Sequence, residues 1–453
     1  MIDEKKQYGL WTAIAMIIGI CVGSGIFFKV GNILAFTGGN VFLGVLVFII
    51  GALCIIFGSL SLTNLAQRTT KNGGMVAYFE EFFSESTASA FGWYQTFLYF
   101  PTIGVVVSWA AGTYTTMLLD LPQTMSYQMG IGFCYMLFFY CLNILSSQFA
   151  GWFQIVSTIT KLIPLLGMGF IALFWSKETP VVPPTVPLVE KTDVGLGWLA
   201  ALAPMAFSYD GWPIALSISH EVKGGSQTMK KALCFGPIIV LIVYLSYFLG
   251  LTHILGPEYI LSMGEGAVME VGEMLFGHIG QKVILLFILV ALFGVINGVT
   301  LGHIRMPYAL ATKNMLPNSQ KIVENYHQKK IGSRSAIIAL LTSCGWFIIH
   351  YLTQYFQLMG LGDIGEIAIV FGYMWYIALY FKVIQLYLDK DIKETFTGLI
   401  SPILAILGGL IILFGGFYDN PVFEFISFGI CFLFCLFGYI TFRKNQSNNM
   451  IKQ

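Results

Sequence analysis

The chain has 453 residues, of which 57% are hydrophobic and only 10% charged, with a formal net charge of +1 and a mean hydropathy of +0.77. A soluble globular domain carries about 25% charged residues, so the composition excludes water-soluble burial and reads as a polytopic membrane protein with no soluble domain. The balanced charge argues against nucleic acid or an electrostatically steered macromolecular partner.

The N-terminus, Met-Ile-Asp-Glu-Lys-Lys-Gln-Tyr-Gly, leads into an apolar run over 9–29 with no small-x-small cleavage site. It reads as a retained helix, not a signal peptide. The run is long enough to cross a bilayer, which takes about 20 helical residues. Yet Ile17-Ile18-Gly19-Ile20-Cys21-Val22-Gly23-Ser24-Gly25-Ile26-Phe27 carries three glycines and a serine at its centre. Each glycine costs about 1 kcal/mol relative to alanine in a helix interior. Gly23 and Gly25, two apart, cannot line one tight packing face. The spacing predicts an interrupted helix whose freed N–H and C=O groups face a protein-lined cavity, because lipid would leave them unpaired. The plainer alternative is a first membrane helix with a glycine-rich packing face.

Further apolar runs over 40–63, 88–118, 125–145 and 150–175 predict four more spans. The segment 64–87 reads as a loop in which Gly73-Gly74 permits a tight turn. Within these spans Tyr99, Ser108 and Gln154 are polar candidates whose plainer role is inter-helix hydrogen bonding. Lys161, in Ser157-Thr158-Ile159-Thr160-Lys161-Leu162, lies well inside the fifth span and needs a carbonyl or carboxylate partner. A fixed cation beside the broken first helix can do the structural work of a bound Na⁺ in a cation-coupled carrier; snorkelling to a surface is the plainer reading. Residues 177–193, with Pro180, Pro183, Pro184 and Pro187, read as a stiff link.

The sixth run, 195–218, is interrupted at Phe207-Ser208-Tyr209-Asp210-Gly211-Trp212-Pro213. An aspartate in mid-span is expensive and marks a functional site by default, and Gly211 and Pro213 again suggest a broken helix. Capping of a second half-helix is the structural alternative for Asp210 and is compatible with function. Runs over 232–253, 281–311, 334–350, 364–386, 401–418 and 421–442 complete twelve spans, with a short surface helix expected in 256–278. Asn297, Arg305 and Tyr376 are polar residues of the later spans, and many of the 22 Tyr and 9 Trp read as interfacial belts. Placing the N-terminus inside puts Lys5, Lys6, Arg68, Lys71, Lys230, Lys231, Lys313, Arg334, Lys390, Arg443 and Lys444 on one face. The other face receives Lys177, Lys191 and Lys282 with Glu258, Glu265, Glu270 and Glu273, so both termini are expected in the cytoplasm. The eight cysteines, all in apolar stretches, suggest neither a disulfide framework nor a zinc site, and no cofactor or metal is expected.

Breaks in the first and sixth spans stand five spans apart, as in two five-helix units of opposite orientation. N–H groups from about Ser24 to Phe27 and the positive end of the second half-helix would hold a carboxylate. Free carbonyls near Phe207 and Ser208 would accept an ammonium. A carboxylate and an ammonium one carbon apart make an α-amino acid.

Four segments carry a resemblance: Gly19 to Phe27; Leu65-Ala66 through Gly73-Gly74 into Tyr78; Trp93 and Pro101; and Tyr209-Asp210-Gly211-Trp212 with Glu221. Thr160-Lys161-Leu162 and the stretch from Asn297 through Arg305 to Pro317 agree with them. Together they are similar to the amino acid–polyamine–organocation (APC) superfamily, and within it to the L-type amino acid transporter (LAT)-like exchangers and their bacterial relatives. The resemblance implies an all-α membrane fold of twelve transmembrane helices. These form a five-plus-five inverted repeat, 9–175 and 195–386, plus two extra helices over 401–442, in one transporter domain over 1–453. It also implies sodium-independent exchange of amino acids across the plasma membrane, with Lys161 in the region of a sodium site. By the same resemblance the substrate carboxylate meets Gly23, Ser24, Gly25 and Ile26, and the amino group meets carbonyls near Phe207 and Ser208. Tyr209 and Trp212 are the gating aromatics, with Tyr99, Asn297 and Tyr376 in support. Many L-type members carry a small residue where this chain has Asp210; an acidic one is similar to carriers of cystine and dibasic amino acids, and bacterial exchangers of small neutral amino acids share the option. No cysteine is placed for the disulfide that joins the animal exchangers to a heavy chain, so no heavy-chain subunit is expected, and the oligomeric state stays open, a monomer included. A proton-coupled symporter on the same fold, using Lys161, Asp210 or Glu221, is the nearest alternative; a channel or membrane sensor is the alternative of another class.

Overall fold

The computed structural model describes residues 9–23, 25–69, 71, 74–145, 147–212, 225–329, 333–419 and 421–452. Among them there is no strand. The apolar runs become helices because backbone groups in hydrocarbon must be satisfied within the segment. In chain order these are α1 (Leu10–Cys21), α2 (Gly25–Phe36), α3 (Val41–Ala66) and α4 (Met75–Phe82). A continuous helix, α5, runs over Glu85–Leu118, followed by α6 (Met125–Leu145) and α7 (Ser147–Leu173). A 3₁₀ turn at Gly195–Ala201 leads into α8 (Leu202–Ser208), then come α9 (Gly225–Leu255), α10 (Pro257–Met263) and α11 (Ala267–Thr312). The chain closes with α12 (Ser319–Lys329), α13 (Ser333–Tyr355), α14 (Ile364–Leu388), α15 (Ser401–Asp419) and α16 (Pro421–Lys452).

Ten helical stretches among the described residues are long and apolar enough to cross a membrane. Leu10–Gly19, Gly25–Phe36 and Gly195–Ser208 are shorter apolar helices; the first and third fall in the first and sixth sequence runs, and the second starts in the first run but continues to Phe36, past the end expected at 29. Large apolar side chains such as Phe170, Leu341, Ile348, Phe432 and Phe437 face outward. Soluble proteins rarely expose so much contiguous apolar surface, which is what lipid contact requires.

One segment differs from the sequence reading and two agree with it. Part of the segment 64–87 is helical: Gly74 at φ 58° starts α4. Within α11 the backbone leaves helical geometry at Phe276 and Gly277, so the long span begins after them, near the 281 expected. The surface helix sought in 256–278 is α10, started by Gly256 and Pro257.

The aromatic residues also divide differently. Tyr94, Tyr114, Tyr209, Tyr244, Tyr247 and Tyr380 are among the largest fully buried side chains, so these six are core and not belt. A buried phenol usually finds a partner, and for four of the six a backbone carbonyl supplies it: Tyr94 donates to Ala368 at 2.8 Å and Tyr114 to Phe27 at 3.2 Å, and Tyr209 and Tyr244 do likewise, whereas the Tyr247 hydroxyl has none among the described residues.

The helices that carry the site pack on one another at the centre. α9 lies against α1, α3 and α7; α2 meets α8; and α14 packs on α8, α3 and α5.

Candidate functional site

The site is built where α1 stops, α2 starts and α8 stops. In a continuous helix the carbonyls of Gly19, Ile20 and Cys21 would each accept a bond from four residues on. Here Val22 N–H still bonds Ile18 at 2.8 Å, and the helix ends, so the later carbonyls need other donors. Lys161 on α7 reaches over and donates from Nζ to the Gly19 carbonyl at 2.9 Å. Tyr244 on α9 donates to the Cys21 carbonyl at 2.9 Å.

Tyr244 also lies 2.6 Å from the Ser208 carbonyl, at the end of α8. A phenol carries one proton, so the two helix ends compete for it. The hydroxyl thereby couples α1 to α8 through a single group.

The start of α2 faces that same place. A methyl group on Gly25 would lie 2.8 Å from Ser208 Cα and 3.1 Å from the Phe207 ring, so only glycine allows the two backbones to approach this closely. The N–H groups of the first turn, Gly25 to Phe27, have no intrahelical acceptor and carry the positive end of the helix dipole. Facing them, α8 presents its last carbonyls: Phe207 accepts from Asp210 N–H at 3.2 Å, and Ser208 accepts from Tyr244. Ile26 is buried beside Gly25 and Gly23 is half-buried. Ser24 lies outside the described residues, as do Pro213 and Glu221.

Beyond α8 the chain turns at Gly211, whose φ of +95° is a conformation an L-residue rarely takes. The turn aims Asp210 at α5, where the Tyr99 hydroxyl donates to Oδ2 at 2.6 Å. Tyr99 is delivered by a wider helical turn, Gln95–Tyr99, in which Phe100 N–H bonds Gln95 and not Thr96. Pro101 then removes the donor that Phe97 would have used. Both freed carbonyls are served from outside: Thr96 by Nε2 of His303 at 2.8 Å and Phe97 by the Trp346 indole at 2.6 Å. His303 Nδ1 meets the Tyr140 hydroxyl at 2.7 Å, and the Thr96 carbonyl, which can only accept, places a proton on Nε2.

The remaining sequence candidates separate into groups. The Tyr209 ring packs 4.8 Å from that of Tyr244 and its hydroxyl donates to Phe48 on α3 at 3.2 Å. Trp212 lies edge-on to Tyr376 at 5.4 Å. Asn297 is elsewhere: its oxygen accepts from Asn143 at 3.0 Å and its amide donates to Gln154 at 3.3 Å, joining α11 to α6 and α7. Arg305 is exposed.

Two features were not found from the sequence. Tyr244 stands in an unremarkable apolar run, and nothing local marks it. Lys29 on α2 is 2% exposed and ion-paired with both Asp363 and Glu366. Asp363 caps α14, accepting from Gly365 N–H at 2.8 Å and Glu366 N–H at 3.0 Å. The Asp-x-x-Glu spacing at a helix start was the available signal.

Comparison with known proteins follows the same lines. A family model described as an amino acid permease matches residues 8–448. The chain belongs to the amino acid permease family of the APC superfamily. It is 29% identical to the serine/threonine exchanger SteT of Bacillus subtilis (strain 168), over 90% of each chain. It is 26% identical to the human Asc-type amino acid transporter 1, over 75% of this chain and 64% of that one. With the mouse large neutral amino acids transporter small subunit 2 it shares 23% identity, over 92% of this chain and 77% of the other. The permease is a multi-pass membrane protein and an amino acid transporter; its family and relatives are transporters, not enzymes.

Proposed function

We propose that the permease is a sodium-independent exchanger of small neutral L-amino acids that works by alternating access. The observation that carries this reading is the meeting of the α2 N-terminus with the α8 C-terminus across Gly25 and Ser208. An α-carboxylate sits on the N–H groups of Gly25, Ile26 and the turn that follows, with Gly23 beside them. The α-ammonium sits on the carbonyls of Phe207 and Ser208. Opposite helix ends then hold opposite charges.

Three further observations shape it. Lys161 on the Gly19 carbonyl fixes the end of α1 with a protein cation, which removes the need for Na⁺ there. The Asp210 carboxylate is engaged by Tyr99, so it is not offered to a cationic side chain, and the close packing of Gly25 on Ser208 favours small substrates. The relative named a serine/threonine exchanger supports both the exchange mode and the substrate size.

In this reading α1 and α2 are halves of one broken span, the run 195–218 is the second broken span, and twelve spans result. Spans 1–5 and 6–10 form the inverted repeat, with Tyr209 and Trp212 as gates on either side of the site. Both termini are cytoplasmic in the cell membrane, and no heavy chain is required. The binding energy of the substrate biases a two-state equilibrium and no covalent step occurs.

Proteoliposomes test this. Labelled serine uptake is expected to require internal amino acid, at zero pH gradient and without Na⁺. Uptake into empty vesicles driven by a pH gradient would make the permease a symporter instead.

A further inference from the structure

Lys29, Asp363 and Glu366 are 2%, 2% and 5% exposed, with Lys29 334 and 337 positions from its two carboxylates in sequence, where α2 meets the start of α14. One ammonium lies between two carboxylates, each ion-paired to it. A buried ion is expensive to desolvate, and a pair of this kind contributes little net stability compared with apolar packing. Its consequence is geometric: the two helices are held in one register while it is closed, and both carboxylates lose the cation they share when the lysine leaves.

The ammonium also touches the amino acid site. It lies 5.1 Å from the ring centroid of Phe207 and 5.3 Å from that of Phe28, and these two rings meet edge-on at 5.5 Å. A cation over an aromatic face is attracted by the ring quadrupole. On its other side Phe207 is confined by α14, where a methyl group on Gly365 would lie 2.8 Å from the ring. Three helices, α2, α8 and α14, therefore converge on Phe207, whose carbonyl is one of those facing the start of α2.

Beside the ion cluster a small cavity of about 30 Å³ is lined by Phe36, Ala203, Met359, Gly362, Asp363 and Glu366. Holding one water takes roughly 10–15 Å³ by this measure, so the cavity admits water to the carboxylates. An ion cluster with water at its edge can be solvated as it parts, which a wholly apolar joint cannot.

We propose that Lys29 is the positioning residue of the outer wall: its ion cluster with Asp363 and Glu366 latches α2 to α14, holds Phe207 over the amino acid site, and parts when the site opens outward. This rests on the orientation and exchange reading given above. Lys29 acts through Phe207 and through the helix register, not by touching substrate.

The test uses the full-length permease with Ala203→Cys, labelled by a membrane-impermeant maleimide and compared with the parent lacking that cysteine. Ala203 lines the cavity and is 8% exposed. Lys29→Met is expected to raise the labelling rate at least about fivefold, the low end of a conformational coupling, and to lower exchange at saturating serine while leaving KM near its original value. Lys29→Arg, which keeps the charge, is expected to restore slow labelling and most of the exchange. Should Lys29→Met fail to fold, Glu366→Gln replaces it, with a smaller rise in labelling expected because Asp363 remains paired. Unchanged labelling in a folded variant, or equal acceleration by the Met and Arg variants, overturns the latch. Faster labelling in a permease that exchanges no amino acid keeps the latch and removes the exchange reading. Exchange with unaltered labelling does the reverse.

Discussion

Gly25 lies so close to Ser208 that a single methyl group on it would stand 2.8 Å from the Ser208 Cα. The start of one helix and the end of another, 183 positions later, thus share one van der Waals surface. Because the neighbour is backbone, it cannot rotate away as a flexible side chain would. Overpacking of this kind costs about 1–3 kcal/mol. Gly25→Val is therefore expected to weaken serine binding by roughly 5- to 150-fold, while the protein still inserts and purifies as before. Ligand-induced thermal stabilisation of the purified variant measures this, and undiminished affinity would take α2 out of the site.

The Tyr99–Asp210 bond gives a prediction about side-chain choice. A hydrogen bond to a charged group contributes about 1.5–3 kcal/mol, and here it occupies the carboxylate that would otherwise attract a cationic substrate. Tyr99→Phe frees that oxygen. Competition by lysine against labelled serine is expected to strengthen in Tyr99→Phe by roughly tenfold, close to the low end of such a bond. Asp210→Asn should abolish that gain when combined with Tyr99→Phe. If lysine competes equally in all three, Asp210 does not face the substrate and its role is in the turn at Gly211.

Much of this arrangement was legible in the sequence, for identifiable reasons. Spans were readable because an apolar run of helical length has one solution in lipid, and the helix ends fall within a few residues of the hydropathy edges for most of them. The helix ends at Cys21 and Ser208 were readable because Gly23, Gly25 and Asp210 are costly where they stand. Lys161 was found for the same reason, and its acceptor turned out to be a carbonyl, Gly19, inside the very motif that raised the question. Lys29 escaped because its carboxylates lie more than 330 positions away and the run around it is otherwise apolar. Tyr244 escaped because a phenol in a Leu- and Val-rich run has no local signature; only the meeting of two helix ends gives it a task. The pairing of Asn297 with Asn143 and Gln154 is likewise a property of three helices packed together, which no single stretch contains.

Lys161 makes a separable claim. Its Nζ reaches the Gly19 carbonyl at 2.9 Å, and Lys161 is 3% exposed. Lys161→Met keeps the stem and removes the donor, leaving a buried carbonyl unsatisfied at a cost of about 1–3 kcal/mol. The variant is expected to melt several degrees lower and to lose exchange, without acquiring dependence on Na⁺, because a methionine supplies neither a positive charge nor a ligand set. Sodium-stimulated uptake by the variant would instead mean that the lysine covers an intact cation site. Exchange at the parent rate would leave Lys161 no part in holding α1.

At the end of the molecule bearing α4, Glu80 joins two elements that are far apart in sequence. Its carboxylate accepts from Lys71 at 2.8 Å and is ion-paired with Lys313 at the end of α11. Burial pushes the Glu80 carboxyl upward, but the bonds from Lys313 and Lys71 outweigh it and hold the group below its ordinary value. A depressed carboxylate contributes stability that is present above its unfolded value, about 4.3, and lost as the pH falls through the lower folded value. The melting temperature of the parent is therefore expected to fall from about pH 5 downward, over the range in which an unfolded glutamate takes up its proton. Glu80→Gln should remove part of that dependence and cost about 1 kcal/mol or less at neutral pH, since Lys71 is partly in water. High salt should shrink the difference further by screening the exposed Lys71 arm. A variant whose melting curve tracks the parent through the whole acid range would show that α4 is held by its apolar face, Met75, Val76 and Phe79, and not by the charges.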